Sequence, residues 1–180
     1  TKKSYFDRVK AIYIPKSIFL KNSLKNKKIS TLHILDIGCG SGYFVSSLAK
    51  VGFKKIDGID VSKKQINFGN KVNNFNLLNT IEPNEVSDYV HNTKAKIVSL
   101  IGVLEHVQNP SELLSAIKKN RNIEYIYMSV PLFWTMINEH TVVMSGKLFN
   151  ISGLVLLVVI VVGWHTVFQC YKRAGKVKGF

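Results

Sequence analysis

Short apolar runs alternate with amphipathic stretches along most of the chain. The apolar runs predict buried strands at residues 31–37, 55–61, 74–78, 96–101 and 124–130. Pro131 follows the last of these runs, and we expect it to end that strand. Helical spacing of apolar residues predicts helices at residues 43–51 and 111–119. Strands that alternate with helices in this way predict βαβ units and therefore a parallel sheet.

Local signals also indicate where other helices begin or break. Ser62 is followed three residues later by Gln65, a spacing typical of a capping box, so we expect a helix to begin there. Residues 1–28 are predicted to form one or two helices, broken at Pro15. We interpret residues 1–30 as a basic, helical lead-in and residues 31–180 as a single domain.

The apolar tail allows two interpretations. Residues 148–171 contain no Lys, Arg, Asp or Glu, and residues 155–162 read VLLVVIVV. The stretch is long enough to cross a bilayer and has basic residues on both sides, but its densest part is shorter than the roughly 20 residues of a spanning helix. We favour the last core strands of the domain, with a membrane segment as the alternative.

A glycine cluster follows the first predicted strand. Residues 35–42 read LDIGCGSG and lead directly into the first amphipathic helix. Glycine tolerates the unusual backbone angles of a tight turn, and the missing side chains let a ligand lie on the backbone. The free N–H groups at the start of the next helix favour an anionic group. This segment is therefore a candidate ligand-binding loop.

An acid closes the second predicted strand. Asp60 lies twenty residues beyond Gly40. In Rossmann-type sheets an acid at this spacing accepts hydrogen bonds from ribose hydroxyls. The glycines follow the pattern G-x-G-x-G behind Asp36, which differs from the G-x-G-x-x-G pattern of dinucleotide-binding loops, and the loop lacks the lysine of a P-loop. The ligand expected here carries a ribose and an anionic or zwitterionic group.

Three segments in order resemble the motifs of class I S-adenosylmethionine-dependent methyltransferases of the small-molecule type. They are the glycine loop, residues 58–62 (GIDVS) and residues 99–107 (SLIGVLEHV). With the strands between them they extend over residues 32–131, more than half of the chain. The resemblance implies a Rossmann-like, doubly wound α/β fold. Its sheet would be mostly parallel with helices on both faces, and its last strands could be antiparallel.

The resemblance also implies roles for particular residues, with S-adenosylmethionine as the cofactor. Gly38, Cys39 and Gly40 would contact its methionine part through the backbone, and Asp36 would orient its amino group. Asp60 would hold the ribose diol and Val61 would pack on the adenine. Gly42 and Gly102 complete the expected cofactor-binding set. Residues 79–82 (NTIE) leave the residue on the other side of the adenine open.

Candidates for a catalytic base are weaker than those for cofactor binding. His106 and Glu105 follow the fourth predicted strand, and His140 follows the fifth, where an acceptor pocket is expected. Each also has a structural interpretation: a histidine or an acid at the start of a helix for the first two, and a surface-loop histidine for the third. A base is needed only if the attacking atom must lose a proton early.

Composition and charge restrict the classes of molecule that this chain is expected to bind. Hydrophobic residues make up 46% and charged residues 20%, which is typical of a globular domain and excludes a disordered chain. The net charge of +14 keeps RNA as an alternative partner, although solvated lysines also account for it. The segment after the fourth strand lacks the Asn/Asp-Pro-Pro-aromatic motif of many nucleic-acid amino-methylating enzymes. We therefore favour a small-molecule acceptor, such as a sugar or a quinone-like metabolite.

Cysteine usage bounds the cellular setting. Cys39 and Cys170 form neither a disulfide framework nor a metal-ligand pattern, so we expect a cytoplasmic location and no metal. The first thirty residues are polar and basic, unlike a secretory signal peptide. The sequence leaves the methyl acceptor and the oligomeric state open.

Overall fold

The computed structural model describes residues 1–24 and 27–132 and the backbone of two further strands at residues 155–162 and 165–170. Side chains are described as far as residue 129. The helices are α1 (Lys2–Arg8), α2 (Ile14–Ser23), α3 (Tyr43–Val51), α4 (Lys63–Asn73), α5 (Val86–Asn92) and α6 (Pro110–Lys119). The strands are β1 (His33–Ile37), β2 (Lys55–Asp60), β3 (Leu78–Thr80), β4 (Ile97–Ile101), β5 (Tyr125–Leu132), β6 (Val155–Val162) and β7 (His165–Cys170).

The strands form one sheet in the order β3-β2-β1-β4-β5-β6-β7. Strands β1 to β5 all run parallel, which confirms the predicted parallel α/β sheet and leaves no antiparallel strand within this central part. Strand β6 joins β5 in parallel, and β7 pairs with β6 in the antiparallel direction. The chain changes direction across the sheet between β1 and β4, so this point is where ligands bind in open α/β folds.

Helices cover both faces of the central strands because successive strand residues point to opposite sides. Ile34 packs with Leu20 of α2 and Phe44 of α3 in one apolar cluster. Its neighbour Leu35 packs with Leu113 of α6 on the opposite face. The doubly wound arrangement with helices on both faces is therefore confirmed.

Two of the predicted strands were misplaced. The third was predicted at residues 74–78, but β3 begins at Leu78, because Asn74 takes the left-handed conformation that ends α4. The fifth was predicted to stop at Pro131, but β5 continues to Leu132 and pairs with β6 through Pro131. A proline lacks the N–H donor but keeps the carbonyl acceptor, so it removes one hydrogen bond from a ladder without ending it here.

Several helix predictions also needed correction. Pro15 does not break a helix: a π-helical turn at Val9–Tyr13 joins α1 to α2, and Pro15 lies in the first turn of α2, where its missing N–H costs little. Ser62 caps α4 through its hydroxyl, but its own N–H donates to Asp60 rather than to Gln65, so the reciprocal half of the capping box is absent. Helix α5 was not predicted at all.

The apolar tail is described only as backbone. Strands β6 and β7 both lie within residues 148–171. Among the residues described, the structure contains no helix that is both long and apolar enough to span a bilayer.

Candidate cofactor site

The glycine loop connects β1 to α3 at the point where the strand order reverses. Gly38, Gly40 and Gly42 all have positive φ angles, of 65°, 54° and 71°, which favour glycine. The N–H of Cys39 donates to the carbonyl of Ile59 at 3.0 Å, which fastens the loop to β2. The sequence therefore builds the predicted strand-to-helix turn, and the turn lies at the carboxyl ends of the parallel strands.

The carboxylate of Asp60 fixes this loop from the neighbouring strand. Its Oδ2 accepts a hydrogen bond from the N–H of Gly40 at 2.8 Å, and its Oδ1 accepts one from the N–H of Ser62 at 2.8 Å. Asp60 is only partly buried, and a carboxylate can accept about four hydrogen bonds, so each oxygen keeps acceptor capacity. Asp60 can thus hold the loop and still bind hydroxyl groups of a ligand.

Asp36 lies at the end of β1 and is 2% exposed. The hydroxyl of Ser99 on β4 donates to its Oδ1 at 2.6 Å. Burial is the main cause that raises the pKa of Asp36 to about 7; the Ser99 hydrogen bond opposes this rise, and the nearby charge of Asp60 adds to it. The site therefore holds a carboxyl group whose ionised form a cationic ligand would stabilise.

Cys39 is not built as a nucleophile. Its thiol is 8% exposed, and burial, followed by the charges of Asp36 and Asp60, raises its pKa strongly. Since the thiolate is the reactive form, this thiol stays neutral and unreactive at physiological pH. The prediction that Cys39 contacts the cofactor through its backbone stays a prediction.

The loop opens onto a cavity of about 320 Å³, within the range of small-molecule sites. The lining combines residues of the loop with others from the lead-in and from α3, α4 and β4. The residues are Arg8, Tyr13, Asp36, Gly38, Cys39, Gly40, Ser41, Tyr43, Phe44, Gln65 and Ile101. The lining includes both charged and aromatic side chains, as suits a ligand with a charged group and a flat or apolar part.

The lead-in helices are fastened to this cavity. The hydroxyl of Tyr5 donates to the carbonyl of Ser41 in the glycine loop at 3.0 Å, and Asn73 of α4 donates to the same hydroxyl at 2.8 Å. Tyr5 is 2% exposed and stacks on Tyr43 with 4.5 Å between ring centroids. The lead-in is therefore a packed wall of the site.

Two residues of the lead-in face the ligand space directly. The ring of Tyr13 stacks on Tyr43 at 5.4 Å, and the guanidinium of Arg8 lies 5.0 Å from the centroid of the Tyr43 ring. Burial raises the pKa of Tyr13, and its contact with Arg8 counteracts this. Arg8 thus belongs to the cavity.

The remaining predicted cofactor residues occupy different positions. Val61 is 56% exposed at the end of β2, an open apolar surface on which an aromatic ring could pack. Gly102 is exposed just after β4, with φ of 66°. A Cβ atom on Gly42 would lie 2.6 Å from Leu78 Cδ1, so this glycine serves the packing of the loop on β3 and is not among the lining residues.

The predicted catalytic residues are not gathered at the cavity. Glu105 and His106 lie in a 3₁₀ turn at Leu104–His106, both are exposed, and neither is among the lining residues. They lie just after the carboxyl end of β4, and a role for them as a base stays a prediction. His140 lies outside the described residues. Among the described residues no cluster of His, Cys, Asp and Glu could hold a metal ion.

Sequence reasoning missed four contributors to the site. Arg8, Tyr13 and Tyr43 gave no local signal, because their role depends on the lead-in folding back over the loop. Ser99 did give one: it is the single polar residue in the otherwise apolar run IVSLI of β4. A buried hydroxyl requires a hydrogen-bond partner, so a polar partner such as Asp36 was a reasonable expectation.

The chain was compared with known proteins. A family model described as a methyltransferase domain matches residues 10–132. A ubiquinone biosynthesis O-methyltransferase of Shewanella halifaxensis is 30% identical over 93 residues, which are 46% of this chain and 36% of that protein. The mitochondrial ubiquinone biosynthesis O-methyltransferase of Candida albicans is 29% identical over 155 residues, 83% of this chain and 45% of that protein. The chain therefore spans less than half the length of these curated relatives.

Solved structures agree at the level of the fold. An amino pentose methyltransferase from Micromonospora echinaspora, solved with S-adenosylmethionine bound, matches with a TM-score of 0.53 and 10% identity. The match covers 88% of this chain and 55% of that one. At this identity the shared feature is the fold.

Proposed function

The chain belongs to the class I S-adenosylmethionine-dependent methyltransferases, and from this premise we propose that it transfers a methyl group from S-adenosylmethionine to a small-molecule acceptor. One observation carries the proposal. The glycine loop lies between the buried Asp36 and the partly exposed Asp60 at the reversal of strand order, and it opens onto a cavity. Asp36 lines this cavity, whereas Asp60 is not among the lining residues and contacts the loop through the N–H of Gly40. Both carboxylates would therefore act on one ligand that extends from the cavity over the end of β2.

The residues present fit the cofactor. Gly38, Cys39 and Gly40 would receive its methionine part on the backbone, because no side chain of the two glycines occupies that space. Asp36 would pair with the ammonium group, which would stabilise its ionised form. Arg8, which lines the same cavity, would pair with the carboxylate group.

The other end of the cofactor would lie over β2. Asp60 would accept hydrogen bonds from the two ribose hydroxyls while it keeps its contacts to Gly40 and Ser62. Val61 would pack against one face of the adenine. We also propose that the lead-in, residues 1–30, forms one wall of the cofactor site beside the methyltransferase domain at residues 31–180, since Tyr5 and Arg8 reach the loop and the cavity.

The chemistry is an in-line displacement in which the bound cofactor supplies an electrophilic methyl group. The protein contributes alignment: Asp36 and Asp60 fix the two ends of the cofactor, and the aromatic wall of Tyr13 and Tyr43 keeps water from that side of the site. No step is assigned to Glu105 or His106, since both are exposed on the turn after β4.

A small-molecule acceptor is supported by two observations. The segment after β4 lacks the motif of enzymes that methylate amino groups of nucleic-acid bases. The curated relatives are named for O-methylation in ubiquinone biosynthesis, which supports a hydroxyl oxygen as the methylated atom.

The proposal is tested by calorimetric titration with S-adenosylhomocysteine. We expect a dissociation constant in the micromolar range, which corresponds to a binding free energy on the order of −8 kcal/mol. Asp60→Asn keeps an oxygen that can accept the Gly40 N–H but loses the charge, so binding should weaken by about 1.5–3 kcal/mol. Asp57→Asn is the matched control, because this acid lies on the same strand three residues earlier and pairs with His33.

The outcomes separate the cofactor site from a general effect on folding. Loss of affinity in Asp60→Asn with unchanged affinity in Asp57→Asn supports the assignment. A folded, monodisperse protein that does not bind S-adenosylhomocysteine at millimolar concentration refutes it.

A further inference from the structure

Lys16 of α2 reaches β5 at Ser129, opposite the last residue of β4. Its Nζ donates to the hydroxyl of Ser129 at 3.0 Å and lies 5.8 Å from the centroid of the Tyr13 ring. Ser129 is 3% exposed, and the hydroxyl of Tyr127 donates to the backbone carbonyl of Lys16 at 3.3 Å. Lys16 is therefore held in place by hydrogen bonds at both its ammonium group and its backbone carbonyl.

This ammonium group has no ionic partner in the part of the chain with described side chains, where the ion pairs are His33–Asp57 and Lys96–Glu124. An ammonium carries three N–H donors, and one of them is accounted for by Ser129. Burial lowers the pKa of Lys16, because the positive charge loses hydration without gaining an opposite charge. A half-buried cation in this state is a ready binding site for an anion.

Lys16 lies beside the cavity, next to strands β4 and β5, although it is not itself among the lining residues. Ser129 pairs in register with Ile101 of β4, and Ile101 lines the cavity, as does Tyr13. Asp60, which would hold the ribose, lies on the other side of β1 at the end of β2. A molecule that approaches the cofactor from β4 and β5 would therefore meet the Lys16 ammonium group.

We propose that Lys16 binds an ionised oxygen of the methyl acceptor, a carboxylate or phenolate, and so restricts the enzyme to anionic acceptors. This inference rests on the proposed function. The geometry that carries it is the juxtaposition of the Lys16 ammonium with Ser129 of β5 and with Tyr13, which lines the cavity.

The same charge could instead pair with the carboxylate of the cofactor itself. Arg8 lines the cavity beside the glycine loop, whereas Lys16 is not among the lining residues, so the cofactor carboxylate is assigned to Arg8. Two ligands show whether Lys16 pairs with the cofactor carboxylate: S-adenosylhomocysteine carries this carboxylate and 5′-methylthioadenosine lacks it.

The test uses the full 180-residue chain and two fragment probes. Binding of 4-fluorobenzoate and of 4-fluorobenzamide is measured by fluorine NMR at saturating S-adenosylhomocysteine. The wild-type protein should prefer the carboxylate by about tenfold, the ratio expected of a partly exposed charged hydrogen bond. Lys16→Met should abolish the preference, Lys16→Arg should retain it, and Lys10→Met, on an exposed lysine of the preceding turn, should leave it unchanged.

Each result decides the proposal. Loss of the preference in Lys16→Met, with unchanged affinity for S-adenosylhomocysteine, supports it, and the unchanged affinity shows that the variant is folded. If Lys16→Met does not fold, Lys16→Gln and Ser129→Ala replace it.

No preference in the wild-type protein, or a preference that survives in Lys16→Met, overturns the assignment. If Lys16→Met binds S-adenosylhomocysteine more weakly than the wild-type protein does, but binds 5′-methylthioadenosine equally well, Lys16 pairs with the cofactor carboxylate. That result also overturns the assignment of Lys16 to the acceptor. Failure of S-adenosylhomocysteine to bind the wild-type protein refutes the proposed function instead.

Discussion

Replacing Asp36 by Asn should stabilise the free protein above neutral pH. Asp36 is 2% exposed, and Ser99 donates the one hydrogen bond to its side chain that the described residues supply. An asparagine has nearly the same shape, and its amide oxygen can accept the same hydrogen bond. The substitution therefore removes a buried charge and little else.

The magnitude follows from the pKa of Asp36, which burial raises from 3.8 to about 7. Between these two values the folded state keeps a proton that the unfolded state has lost, so stability falls as the pH rises through this window. At about 1.4 kcal/mol per pH unit, the cost of ionisation would approach roughly 4 kcal/mol above pH 7. Relaxation around a buried charge reduces this figure. We therefore expect the free energy of unfolding of Asp36→Asn, relative to that of the wild-type protein, to increase by about 2 kcal/mol between pH 5 and pH 8.

Urea unfolding of both proteins at pH 5 and pH 8 measures this difference. Asp57→Asn is the control, because Asp57 is partly exposed, and its substitution should change stability by less than about 1 kcal/mol at either pH. The reasoning is refuted if the difference in stability between Asp36→Asn and the wild-type protein is the same at both pH values.

Two further predictions concern the site and its packing. The affinity for S-adenosylhomocysteine should rise about tenfold between pH 6 and pH 8, because its ammonium pairs with the ionised form of Asp36, whose pKa is about 7. Calorimetry at both pH values measures this change. An equally steep rise in Asp36→Asn would contradict the prediction. Gly69→Ala should lower the free energy of unfolding by about 1–3 kcal/mol, since the new Cβ would lie 2.4 Å from the carbonyl oxygen of Ser41. An exposed glycine in a helix would instead gain about 1 kcal/mol on this change. Denaturant unfolding beside the exposed-site control Asn67→Ala distinguishes these signs, and a stabilised Gly69→Ala would show that the loop does not pack on α4 as described.

The predictions that succeeded depended on local sequence. The spacing of apolar residues located α3 and four of the first five strands to within about two residues, because burial on one face imposes a short period on the chain. The third strand and helix α5 were missed, since β3 has three residues and α5 has seven, too few for a period to show.

Corrections came where tertiary contacts override a local preference. Pro131 remains in a strand because β6 supplies a pairing partner over eight register positions, and such a partner lies far along the chain. Pro15 continues a helical run because a π-helical turn precedes it. Neither partner nor turn can be read from the residues next to the proline.

By itself the sequence determined the binding loop: its glycines, the acid before it and the acid twenty residues beyond it, because these features are set by backbone angles and strand length. Only the tertiary structure decided what surrounds that loop. Ser99 meets Asp36 across two strands, and the lead-in brings Arg8 and Lys16 to the carboxyl edge of the sheet. Contacts between residues 63 or 113 positions apart depend on how whole elements pack, and packing is fixed by the complete apolar core rather than by any one segment.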